Sequence, residues 1–135
     1  MPGFDLAVVG SGPGGYVAAI RAAQLGMRVA IVEQDRLGGV CLNWGCIPSK
    51  AILHAAELYE AVKAGVPGLV FEKLSVDYGA VIDASRKAAD RLSRGVASLM
   101  KKHKIEVVQG RGRLAGATRV VVVGEQGERE LEAAR

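Results

Sequence analysis

Aromatic side chains are scarce in this 135-residue chain: two Phe, three Tyr and one Trp make up 4% of it. Ala, Val, Leu and Gly are plentiful instead, a balance that favours helices packed closely on a parallel sheet over an aromatic-rich sandwich. No apolar run approaches the ~20 residues that cross a bilayer as a helix, and the segment before Asp5 lacks a basic region followed by a signal-type apolar stretch. Neither a membrane nor export is expected, and the cytoplasm is the expected location. A basic stripe is absent too. The formal charge is only +4, with Lys and Arg spread along the chain and not gathered into a stripe with interleaved aromatics, so a nucleic-acid partner is not expected. Cysteine is limited to two residues, both within "GGVCLNWGCIPSK". Half of the residues are apolar, enough for the core of one compact α/β domain.

The chain opens with "FDLAVVGSGPGGYVAAIRAAQLGMRVAIVEQ". Leu6 to Val9 read as a strand buried on both faces, Ala18 to Leu25 follow at helical spacing, Gly26 stops the helix, and Val29 to Val32 form a second apolar run. This is a strand–helix–strand unit with Gly10-x-Gly12-x-x-Gly15 at its first turn and an acid, Glu33, closing the second strand. Gly10 permits the tight turn, Gly12 lets the backbone approach a pyrophosphate, and Gly15 lets the helix lie close to the strand. Binding comes from free amides and the positive end of the helix dipole. Glu33 is placed to accept both ribose hydroxyls, which excludes a 2′-phosphate and hence NADP from this site. The triplet fits NAD or FAD equally.

Cys41 and Cys46 stand five positions apart, a spacing that an undistorted helix would stretch to about 8 to 9 Å, beyond disulfide reach. The backbone must bend there, and Gly38, Gly39 and Gly45 supply the freedom. Pro48 is expected to fix a helix start just after the second sulfur, which would lower the pKa of a Cys46 thiolate. Three readings stand at this point. The cysteines form a redox pair working against a flavin, or they join His54 and His103 as metal ligands, or they are merely buried. A spacing outside CxxC and the solvated "KKHK" run tell against metal. The flanking glycines tell against simple burial.

Further along, Pro48 to Gly65 reads as a helix with Ala51, Ile52, Ala55, Leu58 and Val62 on one face. Asp77 reads as the N-cap of a long helix reaching about Lys104, with a stripe of Val81, Ile82, Ala88, Leu92, Val96, Leu99 and Met100. "IEVVQGRGRLAG", "RVVVV" and "ERELEAA" read as three strands of a meander.

These stretches together resemble the flavin-dependent pyridine nucleotide-disulfide oxidoreductases. "GGVCLNWGCIPSKAIL" and "VVGSGPGGYVAAIRAAQLG" are most similar to the dihydrolipoamide dehydrogenase branch, with mercuric reductases, which share the Pro-Ser-Lys ending, as the alternative. Trp44 departs from the smaller apolar residue usual there and is read as packing. The resemblance implies a Rossmann-like FAD-binding fold with a parallel sheet, two long helices after a redox disulfide, and an antiparallel meander. It implies that Cys41 is the interchange thiol toward lipoamide and that Cys46 faces the flavin. Lys50 would stabilise charge on the reduced ring, and the backbone of Gly112 would contact the adenine end. FAD would then be held by Gly10, Gly12, Pro13, Gly14, Gly15, Glu33, Gly39, Val40, Cys41, Cys46, Lys50 and Gly112.

The implied partner is the dihydrolipoyl domain or acyltransferase of a 2-oxo acid dehydrogenase complex, and NAD is the co-substrate of the complete enzyme at a site outside this chain. Residues 1–135 are expected to be the first segment of the FAD-binding domain, without the NAD, central and dimerisation domains or the catalytic His-Glu pair. By itself the chain is expected to be inactive. An incomplete sheet and uncovered apolar surface predict self-association. A non-catalytic nucleotide-binding module is the reading from a different class.

Overall fold

The computed structural model describes residues 3–135. Its elements run β1 (Leu6–Val9), α1 (Pro13–Gln24), β2 (Val29–Glu33), α2 (Gly39–Asn43), α3 (Cys46–Ala64), α4 (Tyr78–Lys102), β3 (Glu106–Gln109), β4 (Arg111–Leu114), β5 (Arg119–Gly124) and β6 (Gly127–Glu132). The first three strands form a parallel sheet in the order β1-β2-β3, and the last three form an antiparallel sheet in the order β4-β5-β6.

The layers follow from β2, all five of whose residues are buried. Side chains alternate across a strand. Val29 and Ile31 accordingly pack with Ala19, Ala22, Leu42, Val96, Met100 and Ile105 on the helical side. Ala30 and Val32 pack with Val108, Val120, Val122 and Leu131 on the meander side. The β-branched run "VAIV" thus sits between two cores, helices on one face and the antiparallel sheet on the other.

Four sequence expectations shift. "IEVVQGRGRLAG" is not one meander strand. Its first part, β3, joins the parallel sheet, pairing Val107 with Ile31 and Val108 with Val32. Gly110, at φ 144°, then breaks the strand before β4 begins. Helix α3 starts at Cys46 rather than after it, and Pro48 lies within the first turn, where its missing N–H is no loss. Leu58 of that helix faces outward.

On α4, the buried residues are Ser85, Ala89, Ser93, Val96 and Met100, while Leu92 and Leu99 are exposed. Small side chains let α4 approach the neighbouring helices, and both serine hydroxyls find backbone acceptors, one on the same helix and one across the fold. Ser85 Oγ donates to the Ile82 carbonyl at 2.7 Å, and Ser93 Oγ to that of Leu37 at 2.8 Å. On the outer edge of β1, residues 132–135 lie alongside. The Phe4 amide donates to the Glu132 carbonyl at 3.0 Å and the Ala7 amide to that of Arg135 at 2.9 Å, so this edge is partly paired.

Asp77 caps α4: its Oδ1 accepts the amide of Ala80 at 3.0 Å. Replacing it by Ala should cost about 1 kcal/mol, with Asn largely restoring the loss, as read from the denaturation midpoint in urea. Equal midpoints for wild type and D77A would show that the cap contributes nothing.

Candidate active site

The loop between β1 and α1 is built by close approach. Gly10 takes φ 92°, which an L side chain rarely adopts, and turns the chain at the strand end. A Cβ on Gly15 would overlap the Gly10 carbonyl oxygen, so only glycine lets the first turn of α1 lie against that loop. Gly12 and Gly14 differ: a Cβ on either would meet nothing within 4 Å. The space before the N-terminus of α1 is open, and Pro13 occupies the first helical turn. The first-turn amides of α1 have no carbonyl partners within the helix and face that space.

A second loop closes on the first. A Cβ on Gly39 would come within 2.8 Å of the Gly12 Cα, so the start of α2 rests directly on the glycine turn. Ser11 fastens the two. It is fully buried, and its amide and hydroxyl both donate to Glu33 Oε2, at 2.9 and 2.6 Å. The Gly38 amide donates to Ser11 Oγ at 3.1 Å. Glu33 Oε1 accepts the Asp35 amide at 3.0 Å. Burial raises the Glu33 pKa, but the Ser11 hydroxyl and amide and the amides of Asp35 and Gln34 outweigh it, leaving the carboxyl below the ordinary glutamate value. Glu33 is only 8% exposed. It is therefore a structural tie as well as a cleft-lining acid, and Ser11 is the site residue that sequence reasoning passed over. Its one signal was a lone hydroxyl between the fingerprint glycines.

Gly112 brings β4 across the strand ends, where a Cβ would lie 3.0 Å from Val9 Cγ1 and 3.1 Å from Val32 Cγ1. Beneath it is a cleft of about 230 Å³ lined by Val9, Gly10, Val32, Glu33, Gln34 and Gly110 to Gly112. Gly10, Glu33 and Gly112 thus share one cavity. A larger cleft of about 670 Å³ extends from Gln34 and Arg111 toward the β5–β6 turn, away from the cysteines.

Cys41 and Cys46 are joined as a disulfide with Cα atoms 4.7 Å apart. Cys41 belongs to α2, is half-buried and packs against the helical core. Cys46 is exposed and opens α3, with Lys50 exposed four residues on, one turn along the same face. Val40 is 70% exposed beside them. Asn43 is buried, and its Nδ2 donates to the carbonyls of Leu37 at 3.1 Å and Gly39 at 3.0 Å, tying the end of α2 back to its own start and to the loop before it. The structure does not gather His54 or His103 with the cysteines. Among the described residues, no three His, Cys, Asp or Glu side chains form a metal-sized group, and no helix is long and apolar enough to cross a membrane.

An open cradle at a helix N-terminus, an acid on the next strand and a disulfide on the adjoining loop define a dinucleotide-binding disulfide site. The sequence pattern of the pyridine nucleotide-disulphide oxidoreductases matches residues 4–135, and the chain belongs to that family. It is 50% identical over 129 residues to a dihydrolipoyl dehydrogenase of Zymomonas mobilis, covering 95% of this chain and 28% of that protein. A dihydrolipoyl dehydrogenase of Chlorobaculum parvum is also 50% identical, over 133 residues, with 97% and 28% covered. The chain therefore spans a little over a quarter of the length of these relatives. Among solved structures, the Cu(II) complex of the HOCl-induced flavoprotein disulfide reductase RclA from Escherichia coli superposes with a TM-score of 0.81. It shares 24% identity, with 98% of this chain and 27% of that one covered, and establishes likeness of fold.

Because the folded-state pKa of Glu33 is lowered, its contribution to stability is full above the unfolded carboxylate pKa and is lost as pH falls through the folded value. Ser11→Ala should cost about 1 to 3 kcal/mol at pH 7, since the buried carboxylate loses a hydroxyl donor, and the cost should shrink toward about pH 3. Urea denaturation at both pH values checks this; a cost unchanged by acid would mean that Ser11 does not act through the charge.

Proposed function

We propose that the chain is the first segment of the FAD-binding domain of a dihydrolipoamide dehydrogenase, working in the reducing cytoplasm on dihydrolipoyl groups carried by the acyltransferase of a 2-oxo acid dehydrogenase complex. The carrying observation is the position of the Cys41–Cys46 disulfide: it opens the long helix α3, on a loop that rests against the open glycine cradle. The relatives named dihydrolipoyl dehydrogenase support the substrate class.

The residues fit the cofactor in this reading. The amides following Gly12 would receive the pyrophosphate, while the cleft of Gly10, Glu33 and Gly112 would receive the adenosine. Pro13, Gly14, Gly15 and Gly39 complete the cradle, and Val40 and Lys50 lie on the exposed side with Cys46. In this reading a flavin held there would supply the acceptor for the electron pair that the cysteines release.

The protein's own part is thiol exchange. A thiolate of the dihydrolipoyl group attacks Cys41 Sγ, the Cys41–Cys46 bond breaks, and Cys46 leaves as a thiolate favoured by the N-terminus of α3. The second substrate sulfur then displaces Cys41, closing the substrate's ring disulfide and leaving the electron pair on the two cysteines. Lys50 contributes a positive charge one turn from Cys46.

Exposed apolar residues between α3 and α4, Leu69, Val70 and Phe71 among them, support self-association of the isolated chain. The visible spectrum of the purified chain with added FAD tests the main reading. Bound flavin is expected, with a long-wavelength band on dithionite titration from a thiolate beside the ring. Cys46→Ser should remove that band and keep the flavin. A chain that takes up no FAD would overturn the flavin assignment.

A further inference from the structure

We propose that Arg86 is a positioning residue for the cysteine pair: from α4 it holds the turn between α2 and α3 in the shape that closes the disulfide. The inference rests on the reading that Cys41 and Cys46 cycle between disulfide and dithiol. Between them, α2 ends at Asn43, Trp44 and Gly45 form the turn, and α3 begins at Cys46. That break brings the two Cα atoms to 4.7 Å, where continuous helix would hold them about 8 to 9 Å apart.

Arg86 contacts both parts of the break. Its Nη1 donates to the Asn43 carbonyl at 3.2 Å, an acceptor left over where α2 stops. Its guanidinium carbon stands 5.7 Å from the centre of the Trp44 ring. The indole is 54% exposed, so the cation, more than the core, fixes it. Asp90, one turn along α4, has its ion pair with Arg36, while the hydrogen bond of Arg86 goes to the turn. Asn43 is further bound through its side chain to Leu37 and Gly39, so the turn cannot open without disturbing the Arg86 contacts. A cation over an aromatic face and a charge-assisted hydrogen bond both favour the closed shape. Without them the dithiol, which has no S–S geometry to satisfy, gains relative to the disulfide.

The test equilibrates the full 135-residue chain anaerobically with mixtures of reduced and oxidised dithiothreitol and counts thiols. Each molecule of reductant closes to its ring disulfide, its electron pair breaks the Cys41–Cys46 bond, and two protons complete the thiols. Arg86→Met should move the equilibrium toward dithiol by about tenfold, the combined loss of one cation–π contact and one charge-assisted hydrogen bond. Arg86→Lys, which keeps a cation without the planar fork, should move it less. Trp44→Leu should shift it in the same direction, and adding it to Arg86→Met should change little more. Arg94→Met, which removes a guanidinium whose Nε donates to the Asp90 carbonyl of its own helix and not to the turn, should leave it unmoved.

An Arg86→Met equilibrium within about twofold of wild type overturns the proposal, since both contacts would then be worth almost nothing. An equal shift in Arg94→Met also overturns it, by pointing to general loosening of α4. Should Arg86→Met fail to fold, unshifted Arg86→Lys and Trp44→Leu are the overturning result. A wild-type pair that dithiothreitol never reduces removes the redox reading of the site, and this proposal with it. Normal reduction of wild type with an unshifted variant removes this proposal alone.

Discussion

The buried carboxylate of Glu33 is the tie on which the site depends. It ends β2, accepts both donors of Ser11 from the loop after β1, and through Ser11 meets the amide at Gly38 that leads into α2. The loop after β1 and both ends of the loop between β2 and α2 are thereby fixed to one charge. A buried carboxylate is costly unless saturated with donors, and here donors from the hydroxyl and backbone outweigh the cost of burial. The same charge borders the cleft beneath Gly112, so the group that organises the loops also sets the polarity of the cavity.

Above this tie, the strand order distributes labour between the layers. β2 feeds two cores at once, and the helical core carries the sulfurs, because Leu42 and Cys41 of α2 pack into it. The meander carries no part of the disulfide. Its contribution is to lay Gly112 across the ends of β1 and β2 and so roof the cleft. Position along the sheet normal therefore separates the disulfide from the cleft beneath Gly112.

Much of this was legible in the sequence where residue type and spacing together leave few conformations. The glycine triplet between an apolar strand and a helix, the acid after the second strand, and the doubled glycines before the first cysteine each declare their geometry locally. The division of "VVQGRGRL" was not legible, because whether Val107 and Val108 extend a parallel sheet or start a meander depends on pairing with β2, far away in sequence. The buried face of α4 was misread for another reason. Apolar periodicity selected Leu92 and Leu99, yet close helix packing favoured Ser85 and Ser93, whose hydroxyls bond to nearby carbonyls and so lose little by burial. Arg86 carries no local signal at all, since its partners lie on the turn 43 positions earlier.

The five-residue separation of the two sulfurs has a thermodynamic meaning of its own. In the chain-entropy view, so short a ring restrains the unfolded chain by only about 2 kcal/mol, against about 4.7 for a loop of 100 residues. Breaking it therefore takes little from the reserve that keeps the domain folded, most of which lies in the two cores around β2. A bond that closes a long loop would soften the whole structure whenever it opened. Opening this one would leave the scaffold around it in place.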